Sequence, residues 1–176
     1  MPTPGLYQLL LTLSPPRRLR IGALGEFDFP AGDYLYTGSA RGGLEGRLAR
    51  HARAVKRLRW HIDYLLAVAE LRGVVVLLSG ETTECALAAW ARGLPGACVP
   101  VPRFGASDCG CPGHLVQVPA EGWLAAVDVC DPNRHPLAAL LAPLPLGDLK
   151  AIPAPNAFGS RNVGFPARRV ISRGVE

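Results

Sequence analysis

The sequence predicts a small α+β domain with a mostly antiparallel sheet flanked by helices. Some segments are of strand length and are either apolar or alternate between apolar and polar residues, and others are of helical length. Along the chain they occur in the order β-β-α-α-β-α-β. Of the 176 residues, 49% are hydrophobic, which is enough for an ordinary core. We expect one domain over residues 1–118 and a Pro-rich extension over residues 119–176.

The N-terminal part of the chain is predicted to form two main strands, with a candidate bulged or edge strand between them. Leu6–Leu13 is apolar and ends at the Ser-Pro-Pro sequence that follows it. Arg18–Phe29 alternates more loosely, and its two glycines are typical of a bulged or edge strand. Asp33–Ser39 follows a turn sequence, and the period of two places Tyr34 and Tyr36 on the same face.

Helices and short strands alternate in the rest of the domain. Two helices are predicted, from Leu44 to about Val55 and over Trp60–Leu71, the second ending before a glycine. Val74–Leu78 is apolar and β-branched, as in a short buried strand, and Glu81–Arg92 forms a third helix. A loop-rich stretch then leads into a strand over His114–Val118.

The extension is expected to be partly irregular because prolines recur throughout it. Short helices are predicted over Trp123–Val127 and Leu137–Leu141, with disorder beyond Asn156.

The chain is expected to be cytoplasmic. No apolar run approaches the roughly 20 residues that span a bilayer, and no signal peptide is expected at the N-terminus. The five cysteines are an odd number, so reduced thiols or metal ligands are expected rather than a disulfide framework.

Positive charge is concentrated between residues 41 and 59, although the net charge of the whole chain is only +5. Glu45 is the only acidic residue in this stretch. Its basic residues are Arg41, Arg47, Arg50, Arg53, Lys56, Arg57 and Arg59. A solvated helix face is one interpretation, but such faces usually mix signs, so the segment favours binding to a polyanion.

Two tyrosine motifs precede this basic segment. Gly5-Leu6-Tyr7 lies on the first strand, Tyr36-Thr37-Gly38 on the next tyrosine strand, and Arg47 and His51 follow at helical spacing. This order resembles the GIY-YIG nuclease superfamily, although two letters of the motifs differ from its name-giving ones. The resemblance spans about residues 5–118 and implies a metal-dependent endonuclease, with DNA as the expected substrate.

The resemblance assigns roles to these residues. Tyr7 would be the general base towards the attacking water and Tyr36 would orient it, and Tyr34 faces the same way and is a substitute candidate. Either tyrosine alone would more often be a core or cross-strand residue. A free phenol has a pKa of ~10, so to act as a general base it needs a neighbouring cation or a metal-bound water. Arg47 would stabilise the charge on the phosphorus, and His51 would contact the phosphate.

A divalent ion, Mg²⁺ or Mn²⁺, is implied by the same resemblance, with its ligand on the helix after the third strand. Glu84 is preferred as this ligand and Glu81 is the alternative, because Glu84 lies inside the predicted helix. One carboxylate is enough, since Mg²⁺ keeps several waters. Acids in a first turn also complement the helix dipole without any metal.

Two further segments resemble the Uri-type branch of that superfamily. One is Trp60-His61-Ile62-Asp63-Tyr64, in which His61 is a candidate accessory catalytic residue. His61 and Asp63 are also candidates for capping the helix or for supporting the site residues from behind. The other, residues 104–115, contains a Ser-Asp-Cys sequence. Many GIY-YIG enzymes carry a late asparagine that has no obvious equivalent here, and Asp108 is expected to occupy its space.

The second segment also carries potential zinc ligands. Cys109, Cys111 and His114 have the right chemistry, with Cys85 or Cys98 as a fourth ligand. A tight loop with reduced cysteines is the alternative.

The function expected from the sequence is hydrolysis of phosphodiester bonds in nucleic acid. The residues expected to grip the backbone are Arg41, Arg50, Arg53, Lys56 and Arg57. The alternative is a non-catalytic nucleic-acid-binding module stabilised by zinc.

Overall fold

Gly5–Leu13 forms a central strand, β1, whose side chains are largely buried on both faces. The structure is a computed structural model that describes residues 3–77, 82–119, 149–150 and 169–173. The elements in chain order are β1 (Gly5–Leu13), β2 (Arg17–Ile21), β3 (Gly25–Phe29), β4 (Gly32–Ala40), α1 (Leu44–Ala52), α2 (His61–Leu66), β5 (Glu70–Leu77), α3 (Glu84–Arg92), β6 (Leu115–Val118), β7 (Leu149–Lys150) and β8 (Arg169–Arg173). The predicted α+β class is confirmed.

The main sheet has the strand order β6-β4-β1-β5-β8-β7, and every pair in it is antiparallel. Strand β1 pairs with β4 in a register that sets Tyr7 opposite Gly38 and Leu9 opposite Tyr36. The two tyrosine motifs therefore lie side by side at the same end of two neighbouring strands.

The two faces of the sheet pack against different elements. Tyr7, Tyr34 and Tyr36 point to one face, where they share a core with α1, α2 and the β2–β3 hairpin. Leu10 and Leu35 point to the other face and pack against α3. This split follows from the period of two along each strand.

Four predicted elements differ from the structure, and one of them is the third helix, which begins at Glu84 rather than at Glu81. Arg18–Phe29 is a separate two-stranded hairpin, β2 and β3, joined by a short 3₁₀ turn at Gly22–Leu24. The second helix stops at Leu66 because Glu70 and Leu71 already pair with β1 in strand β5. The first helix ends at Ala52 rather than near Val55.

The extension contributes backbone to the sheet. Strand β8 pairs with β5, and β7 pairs with β8, so the expectation of disorder beyond Asn156 is wrong for Arg169–Arg173. The helices predicted over Trp123–Val127 and Leu137–Leu141 lie outside the described residues, as does Glu81.

Candidate active site

A cleft of about 410 Å³ opens at the end of the sheet where the two tyrosine motifs meet. The five residues predicted as catalytic and the preferred ligand of the divalent ion all line it: Tyr7, Tyr36, Arg47, His51, His61 and Glu84. They come from β1, β4, α1, α2 and α3. The cleft is polar and bordered by both cations and carboxylates, so it suits a charged substrate.

Tyr7 and His51 form a hydrogen-bonded pair at the base of the cleft. The Tyr7 hydroxyl lies 2.8 Å from His51 Nε2, and both side chains are buried. Burial lowers the pKa of His51 to about 3, helped by the nearby Lys56 charge, and burial raises the pKa of Tyr7 although Arg47 opposes the rise. At neutral pH the pair is therefore an uncharged phenol beside an uncharged imidazole.

This arrangement revises the role expected for His51. Its side chain is only 2% exposed, and its Nε2 faces Tyr7. His51 is therefore placed to contact the tyrosine hydroxyl, whereas Arg47 on the same helix is only half-buried.

Tyr34 does not belong to the cleft. Although it shares a face with Tyr36, its hydroxyl donates to the carbonyl of Pro30, away from Tyr7. The prediction that Tyr34 substitutes for the catalytic tyrosine is therefore wrong, because side chains two residues apart on a strand lie about 7 Å apart along it.

Arg47 and Arg50 both stack on the Trp60 ring, with guanidinium carbons 4.1 and 3.9 Å from its centroid. Cation–π contact and the i, i+3 spacing on α1 explain this shared platform. Trp60 lies in the cleft wall together with Arg59, and neither was expected there. An aromatic residue directly after the basic segment 41–59 was the available signal for Trp60.

Arg50 has a structural role instead of the predicted phosphate contact. Its guanidinium donates twice to the fully buried Asp63 carboxylate, at 2.8 Å each, and also to the carbonyl of Arg57. Asp63 also accepts from the backbone N–H groups of Arg59 and Trp60, which confirms its predicted capping role. Burial raises the pKa of Asp63, but these bonds outweigh it and bring that pKa to about 2.

Lys56 is likewise committed to the fold. Its ammonium group donates to the carbonyls of Arg50 and His51 at the end of α1, and burial lowers its pKa. The predicted phosphate contact is therefore not supported for Lys56. Arg41, Arg53 and Arg57 remain exposed, as a phosphate contact requires.

His61 presents one nitrogen to the cleft. The Gly105 N–H donates to His61 Nδ1 over 3.0 Å, so the ring hydrogen of the neutral form lies on Nε2. Burial lowers the pKa of His61, which favours this neutral donor. His61 also packs against Phe104, so the loop before β6 orients it.

Glu84 reaches the cleft from the first turn of α3. Its Oε2 accepts a hydrogen bond from the Ser39 hydroxyl, and its Oε1 lies 3.0 Å from His114 Nδ1. Burial raises the pKa of Glu84, but these two bonds outweigh it and hold the pKa below its usual range. Ser39 was not predicted, because nothing local in the sequence relates it to a residue 45 positions away.

The loop before β6 completes the site. Ser107 and Asp108 line the cleft, as the resemblance implied for Asp108. Next to them, Cys109, Cys111 and His114 form one group with Cys85, whereas Cys98 is exposed and pairs with Gln117 through the backbone. Of the two cysteines considered for the fourth position, the structure therefore selects Cys85.

None of the helices in the described part of the chain has the length and apolar character needed to cross a membrane. Fold and site together define an α+β protein with a polar cleft at one end of an antiparallel sheet. The family model described as "Domain of unknown function DUF123" matches residues 6–129, and the chain belongs to this family. The match continues past the boundary predicted at residue 118. Neither the curated proteins nor the solved structures compared with the chain include a match.

Proposed function

We propose that this protein is a divalent-metal-dependent endonuclease that hydrolyses phosphodiester bonds in nucleic acid, with DNA as the first candidate substrate. The observation that carries the proposal is the convergence of Tyr7, Tyr36, Arg47, His51, His61 and Glu84 on one cleft. These residues are scattered over 78 positions of the chain, from 7 to 84, yet they meet. The order of the tyrosine motifs and the basic helix, which resembles GIY-YIG nucleases, supports the same reaction.

Tyr7 is the candidate general base. A phenol ionises too weakly at neutral pH to accept a proton by itself, so its own proton must leave as it accepts one from water. His51 Nε2, at 2.8 Å, is positioned to take that proton. The negative charge of a bound phosphate would stabilise the imidazolium that results.

Arg47 is the candidate electrostatic catalyst. Negative charge increases on the phosphate oxygens as the water attacks, and a guanidinium stays charged and donates from a rigid plane. Stacking on Trp60 restricts Arg47 before the substrate binds. His61 Nε2–H supplies a further neutral donor from the facing wall of the cleft.

The residues present fit a divalent ion at Glu84. Each carboxylate oxygen accepts one hydrogen bond and keeps a second lone pair, and Mg²⁺ needs only one or two protein carboxylates beside its waters. Asp108 lines the same cleft as a second carboxylate. A bound Mg²⁺ or Mn²⁺ would polarise the scissile phosphate and stabilise the leaving oxygen.

The test is cleavage of labelled single-stranded, duplex and branched DNA, and of matching RNA, with and without Mn²⁺. Tyr7→Phe and Tyr34→Phe form a matched pair, since each removes one tyrosine hydroxyl that makes a hydrogen bond. We expect Tyr7→Phe to lower the rate by about 10²–10⁴-fold and Tyr34→Phe to leave it nearly unchanged. Glu84→Gln should abolish metal-dependent cutting while nucleic-acid binding remains.

The alternative is a nucleic-acid-binding module without turnover, which the exposed Arg41, Arg53 and Arg57 would serve equally well. Salt-dependent binding by the wild type, with no cutting of any substrate in Mn²⁺, would support it and reject the nuclease.

A further inference from the structure

Three thiols and one imidazole converge where α3 meets the loop before β6. The Sγ atoms of Cys85, Cys109 and Cys111 and a ring nitrogen of His114 all lie within 4.8 Å of one another. Cys85 comes from α3, and the other three come from residues 109–114. We propose that these four side chains bind a structural zinc ion in a Cys₃His site.

The donor atoms match what zinc requires. Thiolate sulfur and imidazole nitrogen are its usual ligands, and structural sites close the coordination sphere with four of them. In a tetrahedral site with Zn–S bonds of about 2.3 Å, ligand atoms lie roughly 3.5–4 Å apart. Cys109 Sγ lies 3.5 Å from His114 Nε2, which is within this range.

The orientation of His114 is a second, independent indication. Its Nε2 faces Cys109, and its Nδ1 lies 3.0 Å from Glu84 Oε1. A carboxylate on the far nitrogen is the usual outer partner of a zinc-bound histidine, because it sets the tautomer and the ring orientation. His114 is only 3% exposed, so the ring is also fixed by its surroundings.

The hydrogen bonds around the four side chains indicate which cross-link a zinc ion would add. Arg92 of α3 donates to the carbonyl of Gly113, and Arg103 donates to the carbonyl of Cys111, at 2.8 and 3.0 Å. These bonds hold the loop, and the Glu84–His114 contact is a further link between the start of α3 and the loop. A zinc ion would cross-link the start of α3 to the loop and so hold Glu84 and Asp108 at the cleft.

The zinc site itself does not depend on the proposed nuclease activity, and only its effect on Glu84 rests on that function. The first measurement is the zinc content of the full chain, purified without chelators and again after reconstitution with ZnCl₂. We expect one zinc per chain. Replacement by Co²⁺ should produce thiolate-to-metal charge transfer and the intense visible bands of tetrahedral cobalt.

Two cysteine variants form the matched test. Cys85→Ser should lose most of the bound zinc, whereas Cys98→Ser, which changes an exposed cysteine outside the group, should keep one zinc per chain. Loss of zinc in both variants, or in neither, would overturn the site as assigned. Absence of zinc from the reconstituted wild type, or a disulfide within the group, would also overturn it.

A third variant decides the matter if Cys85→Ser fails to fold. His114→Cys keeps four ligands, so it should retain one metal while the cobalt spectrum shifts towards that of a Cys₄ site. An unchanged spectrum would exclude His114 as a ligand. Because these measurements read the metal and not cleavage, their failure is distinguishable from failure of the nuclease.

Discussion

Gly38 lies directly opposite Tyr7 across strands β1 and β4, and the two residues are in contact. A Cβ placed on Gly38 would come within 2.5 Å of the Cζ and hydroxyl oxygen of Tyr7. The glycine of the second motif therefore makes room for the tyrosine of the first. This contact gives the pair of motifs a physical reason to occur together.

The first prediction concerns this contact. Gly38→Ala should destabilise the fold by roughly 1–3 kcal/mol, because the buried Tyr7 ring must shift. Gly46→Ala is the control, since a Cβ there meets nothing within 4 Å on helix α1. The Gly46→Ala substitution should instead stabilise the fold by about 0.5–1 kcal/mol, because alanine loses less backbone freedom on folding than glycine. Denaturant unfolding of both variants checks this, and equal effects would contradict it.

The second prediction is a pH dependence caused by His51. Its pKa is lowered from 6.5 to about 3 in the folded chain, so only the unfolded chain binds this proton between those values. The contribution of neutral His51 to the free energy of unfolding is therefore complete above pH 6.5. This contribution declines as the pH falls, by up to about 1.4 kcal/mol per pH unit.

The measurement is the free energy of unfolding of the wild type and of His51→Asn from pH 7 to pH 4.5. Other titrating groups, including His114 and the carboxylates, are common to both proteins and largely cancel in the difference. The wild type should lose stability faster than the variant as the pH falls. A difference that does not vary with pH would show that His51 has the same pKa in the folded and unfolded chains.

The third prediction separates two arginines of the basic segment. Arg50→Ala should cost about 3–5 kcal/mol of stability, because it leaves the Asp63 carboxylate buried without its cation. Arg53→Ala should change stability by less than about 0.5 kcal/mol, since the residue is exposed. Denaturant unfolding distinguishes them, and comparable losses would refute the structural role of Arg50.

The fourth prediction concerns salt-dependent binding. Because Arg53 is exposed and proposed to contact a phosphate, Arg53→Ala should lower the slope of log K against log salt by about 1 for duplex DNA. Arg20→Ala, in the exposed β2 strand, is the control and should leave the slope unchanged. Fluorescence anisotropy at several salt concentrations measures both, and identical slopes would remove Arg53 from the interface.

The fifth prediction tests the geometry of Arg47. Arg47→Lys keeps the charge but loses the planar guanidinium on Trp60, so kcat should fall by about 10²–10³-fold with KM nearly unchanged. Steady-state cleavage provides both constants, with Arg20→Lys as the control. A rise in KM alone would mean that Arg47 only binds the substrate.

The sequence by itself predicted strands β1, β4, β5 and β6 and the alignment of residues along each of them. The period of two placed the tyrosines of β4 on one face, and the helical period placed Arg47 and His51 together on α1. These relations involve residues that are close together in the chain, so their spacing is enough to predict them. The β2–β3 hairpin was missed because its glycines suit a bulge as well as a turn.

Only the tertiary structure decided which groups become partners. His51 lies 44 residues from Tyr7 and Ser39 lies 45 residues from Glu84, and no local pattern records such pairs. No local pattern predicts the ion pair between Arg50 and Asp63 either. Nor does one predict that Cys85 lies beside His114. Hydrogen bonds and ligand shells act over about 3 Å, so they are set by how separate elements pack.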